Sequence, residues 1–233
     1  GVKLLLMVAV CTGLYFFASS SYFNVTSFQV EGSTYYSEDE ILTMGNCKTG
    51  GNIFWGSGLA DIKDRLEKDP YMAKVRIKRI LPDKIKIEIT ERTQIGAVVY
   101  GDNYVVIDKD ENVLRKTEVE PQLTLIKGLT ISKIEVGQPI EVEEKVQMRQ
   151  IMDMIVSMNE SDMYFKSIEI SEAGVKAYVL DYLVCVGTPQ NITQAMETGN
   201  LQKVIKGLFD INIERGTVKV SGDDYISFSP AFD

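Results

Sequence analysis

Residues 74–90 read KVRIKRILPDKIKIEIT, and the order of apolar and charged side chains in this run settles what kind of domain surrounds it. Val75 and Ile77 alternate with Lys74, Arg76 and Lys78, and Ile85, Ile87 and Ile89 alternate with Lys86, Glu88 and Thr90. A period of two belongs to a strand that buries one face. Leu81-Pro82-Asp83-Lys84 joins the runs as a tight turn, with proline presetting φ and aspartate bonding back to nearby backbone.

Working towards the N-terminus, Leu59, Ile62 and Leu66 recur at helical spacing, which predicts a helix over Leu59–Lys68 closed by Asp69-Pro70. The preceding stretch CKTGGNIFWGSG is a glycine-punctuated loop. Its Ile53, Phe54 and Trp55 are too apolar to leave in water and are expected to pack under the domain. Ser37-Glu38-Asp39-Glu40 has the spacing of a capping box that starts a helix, and Gly45 stops it. In SFQVEG, Phe28 and Val30 share one face of a short strand. The order is strand, helix, helix, strand, strand.

After Arg92 the pattern changes to closely spaced strands at Ile95–Tyr100, Tyr104–Asp108 and Asn112–Lys116, read as a meandering antiparallel sheet. A helix over Val142–Asn159 follows, with Val146, Ile151, Met154, Ile155 and Met158 among its apolar positions. Its methionines suit either a binding groove or a core stripe, and the core is favoured because methionine is an ordinary gap-filler. Strands at Phe165–Ser171, Val175–Leu180 and Tyr182–Val186, a helix over Ile192–Leu208, and strands at Thr217–Ser221 and Tyr225–Ser229 complete the chain, the last two joined by a Gly222-Asp223-Asp224 turn.

No charged side chain occurs between Lys3 and Glu31, and Leu4–Ala18 is apolar apart from Thr12 and Gly13. Crossing ~30 Å of hydrocarbon takes about 20 helical residues, so a spanning helix must draw on Ser19–Phe23. Tyr15, Phe16, Phe17, Tyr22 and Phe23 fall where one interface should lie. Lys3 precedes the run and no Lys or Arg follows until Lys48, which places the C-terminal bulk outside the cytoplasm. A cleaved signal peptide is the alternative, since small residues Ala18, Ser19, Ser20 and Ser21 close the run. Against it, aromatics stand where an A-x-A-like site would.

Net charge is −8, with no basic footprint for nucleic acid, and histidine is absent, which removes the commonest general base and metal ligand. Cys-x-x-Cys, EF-hand and phosphate-loop spacings are missing as well. The carboxylate pairs Glu143-Glu144 and Asp223-Asp224 read as helix-start and turn residues. Lys74, Arg76, Lys78, Arg79, Lys84 and Lys86 form the densest basic patch, a solvated strand face that also suits lipid headgroups or an acidic partner. Cys47 and Cys185 are permitted to pair in an oxidising compartment, but nothing in the sequence brings them together.

Residues 28–99 resemble the extracytoplasmic start of the FtsQ/DivIB cell-division family. The matching pieces are V-x-G at Val30, S-x-x-E-I-L at Ser37, G-x-N-I-F at Gly50, L-x-x-x-P at Leu66, R-I-L-P-D-x-I-x-I at Arg79 and the closing Glu91-Arg92. Further on the resemblance is one of layout, helped by VVYGDNYVVIDKDENVL and GTVKVSGDDYISFSP. It implies an α+β protein: a transmembrane helix within residues 1–24 with a cytoplasmic tail upstream, a POTRA domain (β-α-α-β-β) at 25–93, and a β-rich domain with an antiparallel sheet and flanking helices at 94–233. It also implies a non-enzymatic divisome scaffold of the septal cell membrane, without cofactor, metal or small-molecule substrate. Such a scaffold binds FtsB/DivIC-type and FtsL-type bitopic proteins and helps regulate septal peptidoglycan synthesis. The family holds its FtsB-type partner by strand addition to the last strand of the β domain. Transferred here, that strand is Tyr225, Ile226, Ser227, Phe228 and Ser229, with Tyr225, Ser227 and Phe228 as side-chain contacts. Ser227→Pro would then block binding, provided that its amide faces outward. The strand carrying Lys74, Ile77 and Arg79 resembles a recruitment surface of the family. The alternatives are another POTRA-bearing envelope protein and a secreted binding protein.

Overall fold

A computed structural model describes residues 1–171, 174–222 and 225–231 of the chain, which divides into two units, Gly1–Arg92 and Thr93–Asp233. The first begins with helix α1 (Val2–Ala18) and continues through strand β1 (Ser27–Glu31), helices α2 (Glu38–Met44) and α3 (Leu59–Leu66), and strands β2 (Met72–Ile80) and β3 (Lys84–Glu91). The sheet order is β1-β3-β2, so the Ile85-Ile87-Ile89 strand lies in the centre, parallel to β1 and antiparallel to β2. All three isoleucines are buried together with Ile41, Ile62, Leu66 and Val75. Each such side chain taken out of water contributes roughly 1.5–3 kcal/mol, and the alternation of Lys86 and Glu88 between them keeps the other face wet.

The local signals act as read. Ser37 and Glu40 form a reciprocal capping box, and the Ser37 amide and hydroxyl hold the Glu40 carboxyl below the usual carboxylate range. Helix α3 stops two residues early, at Leu66, where no apolar position remains to be buried. In the loop, Ile53 is buried and Phe54 half-buried, but Trp55 is 57% exposed, contrary to expectation. Arg79 Nε donates to the Ile53 carbonyl at 2.7 Å and Asn52 Oδ1 accepts from the Phe54 amide at 3.0 Å, which turns Ile53 inward and sends Trp55 out.

Helix α1 is apolar on every side and has no buried residue. The expected helix through Phe23 is shorter in the structure: Ser20 is extended (φ −68°, ψ 157°), and Ser21–Phe23 form a 3₁₀ turn. Three successive serines, weaker helix formers than leucine or alanine, stand at the break. Among the described residues no helix is long and apolar enough by itself to cross a membrane.

The second unit is a nine-stranded sheet with helices on one face. Its elements are β4 (Gly96–Tyr100), β5 (Asn103–Ile107), β6 (Val113–Thr117), β7 (Thr124–Lys127), the two-stranded pair β8 (Ile131–Lys133) and β9 (Glu141–Val142), α4 (Lys145–Glu160), β10 (Ser167–Ser171), β11 (Gly174–Tyr178), β12 (Leu183–Gly187), α5 (Pro189–Glu197), α6 (Asn200–Asp210), β13 (Gly216–Val220) and β14 (Ile226–Pro230). The large sheet runs β14-β13-β12-β11-β10-β7-β4-β5-β6. It is mixed rather than antiparallel, because β7 is parallel to both β4 and β10, and β12 is parallel to β13. Parallel neighbours follow from the crossovers: α4 lies between β7 and β10, and α5 with α6 between β12 and β13. The four-residue β7 was too short to announce itself by alternation. The single helix read over Ile192–Leu208 is two helices, divided at Gly199, whose φ of +73° interrupts the helical path.

On α4, Met148, Ile151, Met152, Ile155 and Met158 form the buried stripe with Met154, so the methionines are core. Val146 points away and is 67% exposed, one residue off the stripe. Asp108 is buried at the β5–β6 turn, its carboxylate accepting from the amides of Asp110 and Asn112 at 2.9 and 2.8 Å. Cys47 and Cys185 are both free. Cys185 is fully buried in the helix-covered core, and that burial pushes its thiol up to about 12. At neutral pH, Cys185 is therefore expected to stay unmodified by iodoacetamide in the folded chain and to react on denaturation. Site-resolved mass spectrometry checks this, and rapid native labelling would contradict the packing.

Candidate functional site

Strand β14 ends the nine-stranded sheet, and its pairing decides which groups it offers. It is antiparallel to β13, with Val220 opposite Ile226, Lys219 opposite Ser227, Val218 opposite Phe228, and Thr217 opposite Ser229. The Ser221 amide donates to the Tyr225 carbonyl at 2.9 Å, which makes that pair a hydrogen-bonded one. In an antiparallel ladder such pairs alternate with non-bonded ones. Tyr225, Ser227 and Ser229 therefore turn their backbone groups towards β13. Ile226 and Phe228 turn an N–H and a C=O each to the outside, and Pro230, with no N–H, turns out its C=O. No described residue pairs with that outer side.

Side chains divide the same five residues the other way. Ile226 and Phe228 stand over Val220 and Val218 on the helix-covered face and are half-buried against the core. Ser227 and Ser229 are exposed on the open face beside Lys219 and Thr217, and Tyr225, just before the strand, is 78% exposed. The expected contact trio of Tyr225, Ser227 and Phe228 is thus split between two faces. The condition attached to Ser227→Pro is not met, because the Ser227 amide faces β13; the outward amides are those of Ile226 and Phe228. Sequence alternation held this information only once one hydrogen bond had set the phase.

Gly216 positions the strand. Its φ is +138°, and a Cβ there would lie 2.5 Å from Cε2 of Phe228 and 2.7 Å from the Ser229 carbonyl oxygen. The Phe228 ring thus covers the bare Cα of Gly216, and β14 can close onto β13 only because that side chain is missing.

Two other sheet edges are partly covered. Along β6, Val113 donates to the Gln138 carbonyl at 2.9 Å and accepts from the Gly137 amide at 2.8 Å, so the segment around Gln138 covers the start of that strand. On β2, the Val75 amide is directed at Glu67 Oε1, and the exposed Lys74, Arg76 and Lys78 discourage strand pairing. The structure does not gather Lys74, Ile77 and Arg79 into one patch. Ile77 is half-buried against the core, Arg79 is engaged with the Ile53 carbonyl, and Lys74 alternates to the opposite face. The basic patch is partly neutralised, with Lys78 2.7 Å from Glu88 and Lys86 2.8 Å from Glu31.

Other polar groups settle as structural. Glu144 accepts from the Thr130 amide and hydroxyl, both at 2.8 Å, and these bonds hold its carboxyl below the usual range. The Asp223-Asp224 turn lies outside the described residues. A recess on the open face of the sheet is lined by Glu120, Lys127, Lys166, Glu169, Tyr178 and Asp181, but Lys166 pairs with Asp181 and the Tyr178 hydroxyl with Glu169. Glu91-Arg92 is a clamp. Glu91 accepts from the Ser33 hydroxyl, the Thr34 amide at 2.8 Å and the Tyr35 amide at 3.2 Å, while Arg92 Nη1 donates to the carbonyls of Pro70 and Met72 at 3.3 Å.

Comparison with known proteins agrees with the architecture of the first unit. The family model described as POTRA domain, FtsQ-type, matches residues 23–92. The chain is 29% identical to the cell division protein DivIB of Clostridium acetobutylicum over 208 residues, covering 84% of this chain and 82% of that protein. It is 34% identical to the cell division protein FtsQ of Syntrophotalea carbinolica over 111 residues, 48% of this chain and 38% of the other, and 22% identical to DivIB of Bacillus subtilis over 75% of this chain and 64% of that one.

Proposed function

We propose that this chain, a relative of the FtsQ/DivIB proteins, acts in cell division as a membrane-held scaffold that captures a partner strand along β14. The single observation that carries the reading is the uncovered last strand, which offers the outward N–H and C=O of Ile226 and Phe228. An incoming strand would gain main-chain bonds there, with its side chains alternating between the apolar rim of Ile226 and Phe228 and the polar rim of Ser227, Ser229 and Tyr225. An FtsB/DivIC-type bitopic protein is the partner of this kind, with an FtsL-type protein in the same assembly. Through them the scaffold would help regulate septal peptidoglycan synthesis. Anchoring is supported by α1, apolar and exposed on all sides, and by the lack of charge from Leu4 to Val30. Lys3 ahead of the helix favours a cytoplasmic N-terminus.

The test separates the outward amide from the inward one. Ile226→Pro removes an outward donor, and the neighbouring Pro230 shows that the strand accepts proline at an outward position. A lost interfacial hydrogen bond of about 1–1.5 kcal/mol predicts roughly tenfold weaker capture of the FtsB/DivIC-type protein in titration, with thermal stability close to that of the parent chain. Ser227→Pro instead breaks a β13–β14 bond and should lower both. Ile226→Ala controls for the side chain. Equal capture by Ile226→Pro and parent would overturn the edge assignment.

A further inference from the structure

One end of the first unit gathers the apolar side chains that the unit leaves outside its core. The start of β1, the β2–β3 turn and the glycine-rich loop meet there. The Val25 amide donates to the Gly51 carbonyl at 2.9 Å, the Thr26 amide to Asp83 at 2.8 Å, and the Ile53 amide to Phe23 at 2.9 Å. On this end Tyr22, Trp55 and Leu81 are 63%, 57% and 57% exposed, and Ile80 is 37% exposed. Beyond α1, the only other large exposed apolar or aromatic side chain among the described residues of this unit is Tyr35, at the far end beside Glu91.

The same end is fastened to the last turns of α1. Asn52 Nδ2 donates to the Ala18 carbonyl at 2.8 Å, and Phe23 meets Phe17 edge to face with ring centroids 5.2 Å apart. Trp55 stacks on Tyr15 at 5.7 Å and 18°. Tyr15 lies inside the apolar length of the helix, so Trp55 sits level with the helix's final turn rather than beyond it. Lys3 bounds that apolar length from below. Leu4–Ala18 rises only about 22 Å at 1.5 Å per residue, against ~30 Å of hydrocarbon. A short span is accommodated when flanking amphipathic groups settle into the interface. Tyrosine and tryptophan are the side chains that do so, and the exposed Lys48 and Lys84 add a fringe suited to lipid phosphate.

We propose that this end of the first unit is a lipid-interface surface, with Trp55 and Leu81 seated among the headgroups and upper acyl chains of the bilayer that α1 enters. The unit is then held on the membrane in one orientation instead of swinging on a tether. The proposal rests on the reading of α1 as an anchor.

Trp55 is the single tryptophan of the chain and so reports on itself. The full chain is reconstituted into phosphatidylcholine–phosphatidylglycerol vesicles whose acyl chains carry bromine either near the headgroup or near the terminal methyl. Shallow bromine should quench Trp55 emission about twofold and deep bromine less, as for an interfacial indole, while iodide in the buffer has little effect. Leu81→Glu should weaken the shallow quenching without releasing the chain from vesicles in flotation. A chain that floats with the vesicles while Trp55 is unquenched and open to iodide overturns the proposal and leaves the anchor standing. A chain that does not float overturns the anchor and the proposal with it. Shielding of Trp55 that appears only when a partner protein is added assigns the surface to protein and equally overturns the proposal.

Discussion

Gly216→Ala is expected to detach β14 and sharply weaken the proposed partner capture while the rest of the second unit stays folded. The new methyl carbon would meet the Phe228 ring at 2.5 Å and the Ser229 carbonyl oxygen at 2.7 Å, and the backbone at φ +138° is one that alanine rarely adopts. The ring could turn aside, but the carbonyl belongs to the strand itself, so β14 must move as a whole. Overpacking and a strained φ together cost about 3 kcal/mol or more. An edge strand with two half-buried apolar side chains has little to offset this. Hydrogen exchange should show the amides of Ser227 and Ser229, which face β13, losing protection, while those of β11 and β12 keep theirs. Capture of the FtsB/DivIC-type protein should fall by roughly a hundredfold, in line with that energy at 1.4 kcal/mol per factor of ten. Protection at Ser227 equal to the parent's would show that the site tolerates a side chain. Full capture despite lost protection would place the partner elsewhere.

The second large effect is expected at Glu91. Its carboxylate receives donors from three consecutive residues, Ser33, Thr34 and Tyr35, and so ties the end of β3 to the chain that leads from β1 into α2. Glutamine has the same shape, yet its amide nitrogen would face donors with a donor. Glu91→Gln should therefore cost the first unit about 3 kcal/mol and lower its thermal midpoint by roughly 12–24 °C. The pH dependence gives an independent check. Burial raises the Glu91 carboxyl, but the Ser33, Thr34 and Tyr35 donors outweigh it and hold the group below its ordinary value near 4.5. A carboxyl depressed in the folded state lends stability that is fully present above its unfolded pKa and is lost as pH falls through the folded one. The parent should thus lose stability more steeply than Glu91→Gln below pH ~4. Parallel acid limbs would show that the carboxylate is not the clamp.

Much of the first unit was legible without coordinates because its signals are local. Capping at Ser37 needs only Glu40, and the β2 and β3 faces follow from strict alternation at Val75–Thr90. Burial of Ile85, Ile87 and Ile89 could be read for the same reason, since a one-residue slip would bring charge into the core. Trp55 escaped that logic. Its neighbours Ile53 and Phe54 are as apolar as it is, and bonds such as that of Arg79 to the Ile53 carbonyl and of the Phe54 amide to Asn52 select which of them turns inward. In the second unit the strands that were read lie within two residues of their places, but β7, β8 and β9 were not read at all, because runs of two to four residues carry too little alternation and no record of their neighbours.

By itself, then, the sequence determined the longer strands and most of the helical stretches, which of their faces are apolar, and that an uncharged stretch precedes the first strand. The tertiary structure alone decided which strand is left unpaired at the rim of the sheet and which of its amides point outward. It alone seated a phenylalanine ring over Gly216 and a tryptophan against the end of α1. The division has a physical cause: periodicity and capping depend on residues a few positions apart, whereas edges, ladder phase and ring contacts are set between segments far apart in the chain.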